Sequence, residues 1–341
     1  MFSWKTLPVA LLCSYAGGVP SVGLAQTPDQ FFKGKTLNLL IPTSQGGEYD
    51  TQARLVSRHI SRSLPGGPLV IAQNMPGAGG VVMANHFYNL APRDGTTFGI
   101  VYNGLPTVQA LGVQKVQFNV GEFNWLGAIS PTVETMAFWG TSGIRRVEDA
   151  RGRDDVVVGS AGTSGITYSF PMLLNEFAGT RMRVVTGYKG GNEINLAMER
   201  GEIMGRSNTL SSWRTTRPEW LANNDIVIVA YAGPRPKGFE KIPSLEDFAK
   251  SEDDRALIRL VASAGSRLGR PFATPPGVPG PRVEAFRAAF AAVMADPEFL
   301  KEAEKLRVEV DPVSGLELER VVTEVLATPD RVRERGKPFF K

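Results

Sequence analysis

One cysteine, Cys13, stands in 341 residues, so the chain carries no disulfide framework. Histidine is almost as scarce: His59 and His86 are the only two, far apart in the chain. Without a Cys/His cluster no ligand set for a metal is visible, and the sequence implies neither metal nor cofactor. Net charge is +4, and no basic stripe with interleaved aromatics occurs, which argues against a nucleic-acid partner. No apolar run reaches the ~18 residues of a membrane-spanning helix. No G-x-S-x-G elbow follows a strand, and neither histidine neighbours a reactive serine. An exported hydrolase or transferase would need such a nucleophile with its base, and is the weakest of the alternatives.

What the chain has is glycine (37) and proline (24), with 42% apolar and 21% charged residues. That balance is ordinary for a globular protein rich in short turns, and the length admits two domains. The N-terminus reads as a processing signal: Lys5, an apolar stretch over 7–16, and Gly23-Leu24-Ala25 ahead of the expected cut. Residues 1–25 are expected to leave, taking Cys13 with them, and the mature chain is expected to be exported.

The stretch that organises the rest lies between 37 and 60. An apolar strand over 37–41 is followed by Gly46 and Gly47. Ala53, Leu55, Val56 and Ile60 then recur at helical spacing. A helix start has amide N–H groups without partners and the positive end of the dipole, and glycine lets a ligand approach them. The product is an anion cradle that needs no charged side chain. Strand-like and helix-like pieces keep alternating beyond it. The spacing predicts helices over 49–63, 81–90, 170–177, 282–294, 297–306 and 316–326, and strands over 69–73, 97–102, 125–130, 135–139, 155–160, 183–186, 203–206 and 226–231. This alternation predicts an α/β protein of two lobes, each a mostly parallel sheet flanked by helices. The chain is expected to cross near 126–139 and return near 226–233, giving residues 26–130 plus 232–341 to one lobe and 131–231 to the other. Ligands in open α/β sheets bind beyond the carboxyl ends of the strands, so a cleft above this hinge is the expected site.

Six motifs in order carry a resemblance: Pro42, Gly46, Gly47 and Asp50 with Ala53-Arg54; Asn74 with 76–80; Ala91, Pro92, Asp94 and Gly95; the small-residue loop 159–164; 188–191; and the proline turn 275–279. Together they resemble the Bug-type family, the extracytoplasmic solute-binding proteins of tripartite tricarboxylate transporters. Thr43, Ser44 and Gln45 stand where that family has prolines and a further glycine. The resemblance implies a periplasmic-binding-protein (Venus flytrap) fold and no catalysis. It implies capture of a small organic anion, a carboxylate, by a monomer that delivers it to a membrane permease. Input to a sensor kinase fits the same sequence. The solute itself is not named by it.

The resemblance also implies site residues. Thr43, Ser44, Gln45, Gly46 and Gly47 would grip a carboxylate; Ser160, Gly162, Thr163 and Ser164 would face them across the cleft; Tyr188 and Lys189 would close over the solute. Thr43 and Ser44 offer hydroxyl donors in any case, and Ser and Thr in the second loop also suit a helix N-cap. Asp50 either meets a ligand amine or hydroxyl or stabilises its own helix start. Asn103, after a strand, and Asn208 add polar contacts. Arg206 beside an apolar strand pairs either with a ligand carboxylate or with an internal acid, because an unpaired buried charge is costly. Arg267 and Arg270 are lesser candidates of the same kind. Asn74 and 77–80 read as tight packing between helix and strand. Trp139, Trp213 and Trp220 either stack on an aromatic solute or fill a core.

Overall fold

The computed structural model describes residues 1–2, 26–113, 116–163 and 165–340. The expected leader, with Cys13, and Ser164 lie outside the described residues. Two sheets organise the chain. The first holds β1 (Thr36–Ile41), β2 (Leu69–Asn74), β3 (Thr97–Ile100), β4 (Asn124–Ala128), β10 (Pro271–Thr274) and β11 (Val313–Ser314), in the order β11-β4-β10-β3-β1-β2. The second holds β5 (Glu134–Trp139), β6 (Val157–Gly159), β7 (Arg183–Val185), β8 (Gly205–Thr209) and β9 (Ile226–Ala232), in the order β7-β6-β8-β5-β9.

Alternation along each strand explains the layers. In β1, Leu37, Leu39 and Ile41 pack into a core with α2 (Glu48–Ser63) and α11 (Gly280–Ala295), while Leu40 faces α3 (Val81–Asn89) and α13 (Gly315–Leu326). In β5, Met136 and Phe138 meet α5 (Ile166–Ala178), whereas Ala137 meets α6 (Gly191–Glu199) and α7 (Leu210–Thr216). Trp213 and Trp220 are buried in that last cluster with Trp139 against it, so the tryptophans pack rather than face a solute. Leu257, Leu260, Val332, Phe339 and Phe340 join the core of the second sheet, although the sequence assigns 232–341 to the first lobe.

The strands are mixed in pairing yet mostly co-directional. β1, β2 and β3 run parallel, β10 is antiparallel to both β3 and β4, and β11 opposes β4, so four of six strands share one direction. In the second sheet β5 alone is reversed, opposing β8 and β9. The reversal has a simple cause. The co-directional strands end at the cleft. The chain therefore arrives in the other lobe at its cleft end, and the first strand after each crossing, β5 or β10, runs away from it. At the second crossing Gly269 has φ +63, and a Cβ there would lie 2.0 Å from the Ser130 carbonyl oxygen. Only glycine allows the two crossing segments to touch at that point.

Candidate functional site

A cavity of about 410 Å³ lies between the sheets, lined from both. That volume is in the range of small-molecule sites, roughly 300–1,000 Å³. Its walls are the turns that follow β1, β2, β3, β6 and β7, with β8 and the starts of β5 and β10 at the floor.

Three helices begin at the cavity with glycine as N-cap: α2 at Gly47, α3 at Gly80 and α6 at Gly190. None has a side-chain cap. A capping hydroxyl or carboxylate would occupy a first-turn amide; glycine adds no such group at the positive end of each dipole, although at α3 the Val81 amide already donates to the Ala78 carbonyl. The turn ahead of α3 is held by positive φ at Gly77, Ala78, Gly79 and Gly80 in succession. The two first-turn loops touch across the cleft: a Cβ on Gly190 would lie 2.9 Å from Ser44 Oγ. The lobes are therefore closed on one another.

The floor is charged. Arg270 donates to Glu48 Oε2 at 2.5 Å and to Thr209 Oγ1 at 3.2 Å. Its guanidinium lies 4.3 Å from the centre of the Tyr49 ring, which stacks on Tyr102. Glu48 also accepts from Thr209 at 2.7 Å and Ser211 at 2.6 Å, so this one carboxylate ties α2 to the opposite lobe. Burial works against the Arg270 cation, but Glu48 and then Tyr49 outweigh it and push its pKa up. Arg206 is different. It donates to the Gly191 carbonyl at 2.8 Å, Asn195 Oδ1 at 2.9 Å and the Ser207 carbonyl at 3.1 Å. Burial pulls its pKa down to about 10. No described carboxylate lies within ion-pair distance of it. Glu134, at the start of β5, is 1% exposed, and burial pushes its carboxyl up to about 7.

Of the residues expected from sequence, Thr43, Ser44, Gly47, Asn103, Tyr188, Lys189, Arg206 and Asn208 line the cavity. Others are turned to internal work. Asp50 accepts from the Gly46 amide at 3.0 Å, from Arg54 and from Asn74, and so holds the first loop in shape. Asn74 donates in turn to the Thr43 carbonyl. Gln45 and Gly46 are exposed and do not line the cavity. Ser160 is fully buried, its hydroxyl joined to the Gly162 carbonyl and Thr167 within the second loop. Gly162 and Thr163 are also absent from the lining, where that loop presents Ala161, Ile166 and Thr167.

Sequence reasoning missed Glu48, Tyr49, Tyr102, Glu134 and Thr209, held Arg270 only as a lesser candidate, and read 77–80 as packing although all four line the cavity. A signal existed for two of them. Glu134 and Arg270 sit where the chain enters a sheet after each crossing, the point at which a reversed strand starts at the cleft.

No family model matches the chain. A UPF0065 protein from the TAR-I ttuE-ttuC′ intergenic region of Agrobacterium vitis is 28% identical over 49% of this chain and 48% of its own length. The match thus spans about half of that relative. Among solved structures, the periplasmic binding protein BugD superposes with a TM-score of 0.70 at 17% identity, covering 89% of this chain and 97% of its own. MatC from Rhodopseudomonas palustris with bound malate superposes at 0.68 and 17% identity, covering 90% and 99%. The chain has the two-lobed fold of periplasmic binding proteins, and its structural neighbours are Bug- and TctC-type solute-binding proteins.

Proposed function

We propose that this chain is a periplasmic solute-binding protein that captures a small carboxylate between its lobes and hands it to a membrane permease of the tripartite tricarboxylate type. The lobes would be residues 26–130 plus 232–341 and residues 131–231, acting as a monomer. One observation carries this reading. Arg206 is a buried cation at the cavity wall with no carboxylate of the described residues in ion-pair distance, beside a cavity onto which three helix N-termini without side-chain caps open. An anion would supply the missing ion-pair partner, and Nη2 is the guanidinium nitrogen that donates to none of the Gly191, Asn195 and Ser207 oxygens. The malate bound by MatC, a protein of the same fold, supports the choice of carboxylate. Closure follows if the anion binds both walls at once, because only differential affinity for the closed state can drive it.

A thermal-shift screen with mono-, di- and tricarboxylates, and neutral sugars as controls, tests this. A carboxylate at 100 times its dissociation constant should stabilise the fold by ~2.7 kcal/mol. Ser44→Trp, whose ring does not fit between the touching loops and so holds the lobes apart, should abolish that shift while leaving the ligand-free melting temperature near wild type. A shift from sugars alone overturns the anion.

A further inference from the structure

Seven buried side-chain polar atoms among the described residues lack a hydrogen-bond partner, and four of them belong to residues that line the cavity: Thr43 Oγ1, Asn208 Nδ2, Arg270 Nε and Glu134 Oε2. Buried polar atoms are nearly always paired, so such a cluster at one cavity describes what the cavity takes. Asn208 Nδ2 and Arg270 Nε only donate, and the Thr43 hydroxyl does either. They suit a carboxylate. Glu134 does not: an ionised carboxyl only accepts, and it would repel an anion.

Glu134 is not free to turn away. It sits in β5 between Thr209 of β8 and Ala232 of β9, hydrogen-bonded strands on both sides. Neither of its oxygens makes a hydrogen bond within the described residues, and no ion pair reaches it. Arg270 and Arg206 favour its ionised form, while Glu48 and burial oppose it. Counting Arg206 and Arg270 against Glu48 and Glu134, the floor is neutral when Glu134 is ionised. A carboxylate entering such a floor is best accommodated if the same molecule brings a donor to Glu134.

We propose that the solute is a carboxylate that also bears a hydroxyl or ammonium group, and that Glu134 accepts a hydrogen bond from that group at the floor of the cleft. This rests on the anion-capture reading above and adds the second half of the recognition. The carboxylate occupies the donors, namely the helix N-termini, Arg206 and Asn208. The substituent meets the unpaired carboxylate of Glu134.

Titration calorimetry on the mature chain, with acids matched in length, tests it: propionate, lactate and alanine; succinate, malate and aspartate; glutarate, 2-hydroxyglutarate and glutamate. In the length that binds, a substituted acid should bind at least about tenfold more tightly than the plain one, the range expected of a hydrogen bond to a charged group. Glu134→Leu should erase that advantage. Glu134→Gln keeps a carbonyl acceptor but not the charge, so it should retain a hydroxyl preference and lose an ammonium one. Melting curves of the ligand-free variants establish that each folds, and if Glu134→Leu does not, Glu134→Gln and the wild-type series still decide. Equal affinity for plain and substituted acids, or a preference that survives both substitutions, overturns this inference alone. Absence of binding by every acid overturns the anion reading and this inference with it.

Discussion

Arg270 and Arg206 reach one cavity from opposite walls, and their surroundings differ. Both are buried, at 5% and 4% exposure, and both lie over an aromatic ring, Tyr49 and Trp213. Arg270 is neutralised by Glu48 and locked by Thr209; Arg206 donates to carbonyl and amide oxygens and to no carboxylate among the described residues. Their pKa values move in opposite directions for that reason, up for Arg270 and down to about 10 for Arg206. A cation that holds two lobes together must be satisfied within the protein. One that receives a ligand must be left short of a partner, and the fold bears the cost of its burial.

Breaking the satisfied pair should have the largest effect. Glu48→Ala leaves Arg270 buried and unpaired and strips Thr209 and Ser211 of their acceptor, so urea denaturation should show a loss of about 3–5 kcal/mol. A loss no larger than that of an ordinary surface substitution would mean the two arginines are not distinguished as described. Arg206→Met should sharpen the contrast in the other direction. Carboxylate affinity should fall by about 10- to 100-fold, the worth of a charge-assisted hydrogen bond. Stability should fall by less than in Glu48→Ala, because no buried charge loses an ion-pair partner. Calorimetry and denaturation on the same preparation separate the two.

The smallest effect concerns pH. The Glu134 carboxyl rises from 4.5 to about 7 on folding. Between those values the folded chain holds a proton that the unfolded chain has released. This group therefore contributes stability below about pH 4.5, and the contribution is lost as pH rises to about 7. The ligand-free melting temperature of wild type should fall across that window relative to Glu134→Gln, in which the term is absent. Parallel profiles for the two proteins would remove Glu134 from the cavity's electrostatics.

Much of the fold was legible because it rests on local pattern. Leu37, Leu39 and Ile41 alternate as a strand must, and Ala53, Leu55, Val56 and Ile60 recur as a helix face must, so β1 and α2 were readable to within a residue or so. The first loop was legible for a similar reason: Gly46 and Gly47 between strand and helix specify a backbone, and the backbone makes the cradle. Side-chain roles were harder. Asp50 and Ser160 have the chemistry of ligand contacts, but their oxygens are taken by Gly46, Arg54, Asn74 and Thr167 in the loops themselves. Whether a polar atom faces in or out is a matter of one rotamer, and sequence spacing does not record it.

The sequence by itself determined the alternation of strand and helix and the glycine turns, because each follows from the period of apolar residues or the need for backbone freedom. Only the tertiary structure decided which charges meet. Glu48 and Arg270 are 222 positions apart, and Glu134 comes between them in the chain but belongs to the other sheet. Their encounter depends on the reversal of the first strand after each crossing and on closure of the lobes, both consequences of how the sheets are threaded.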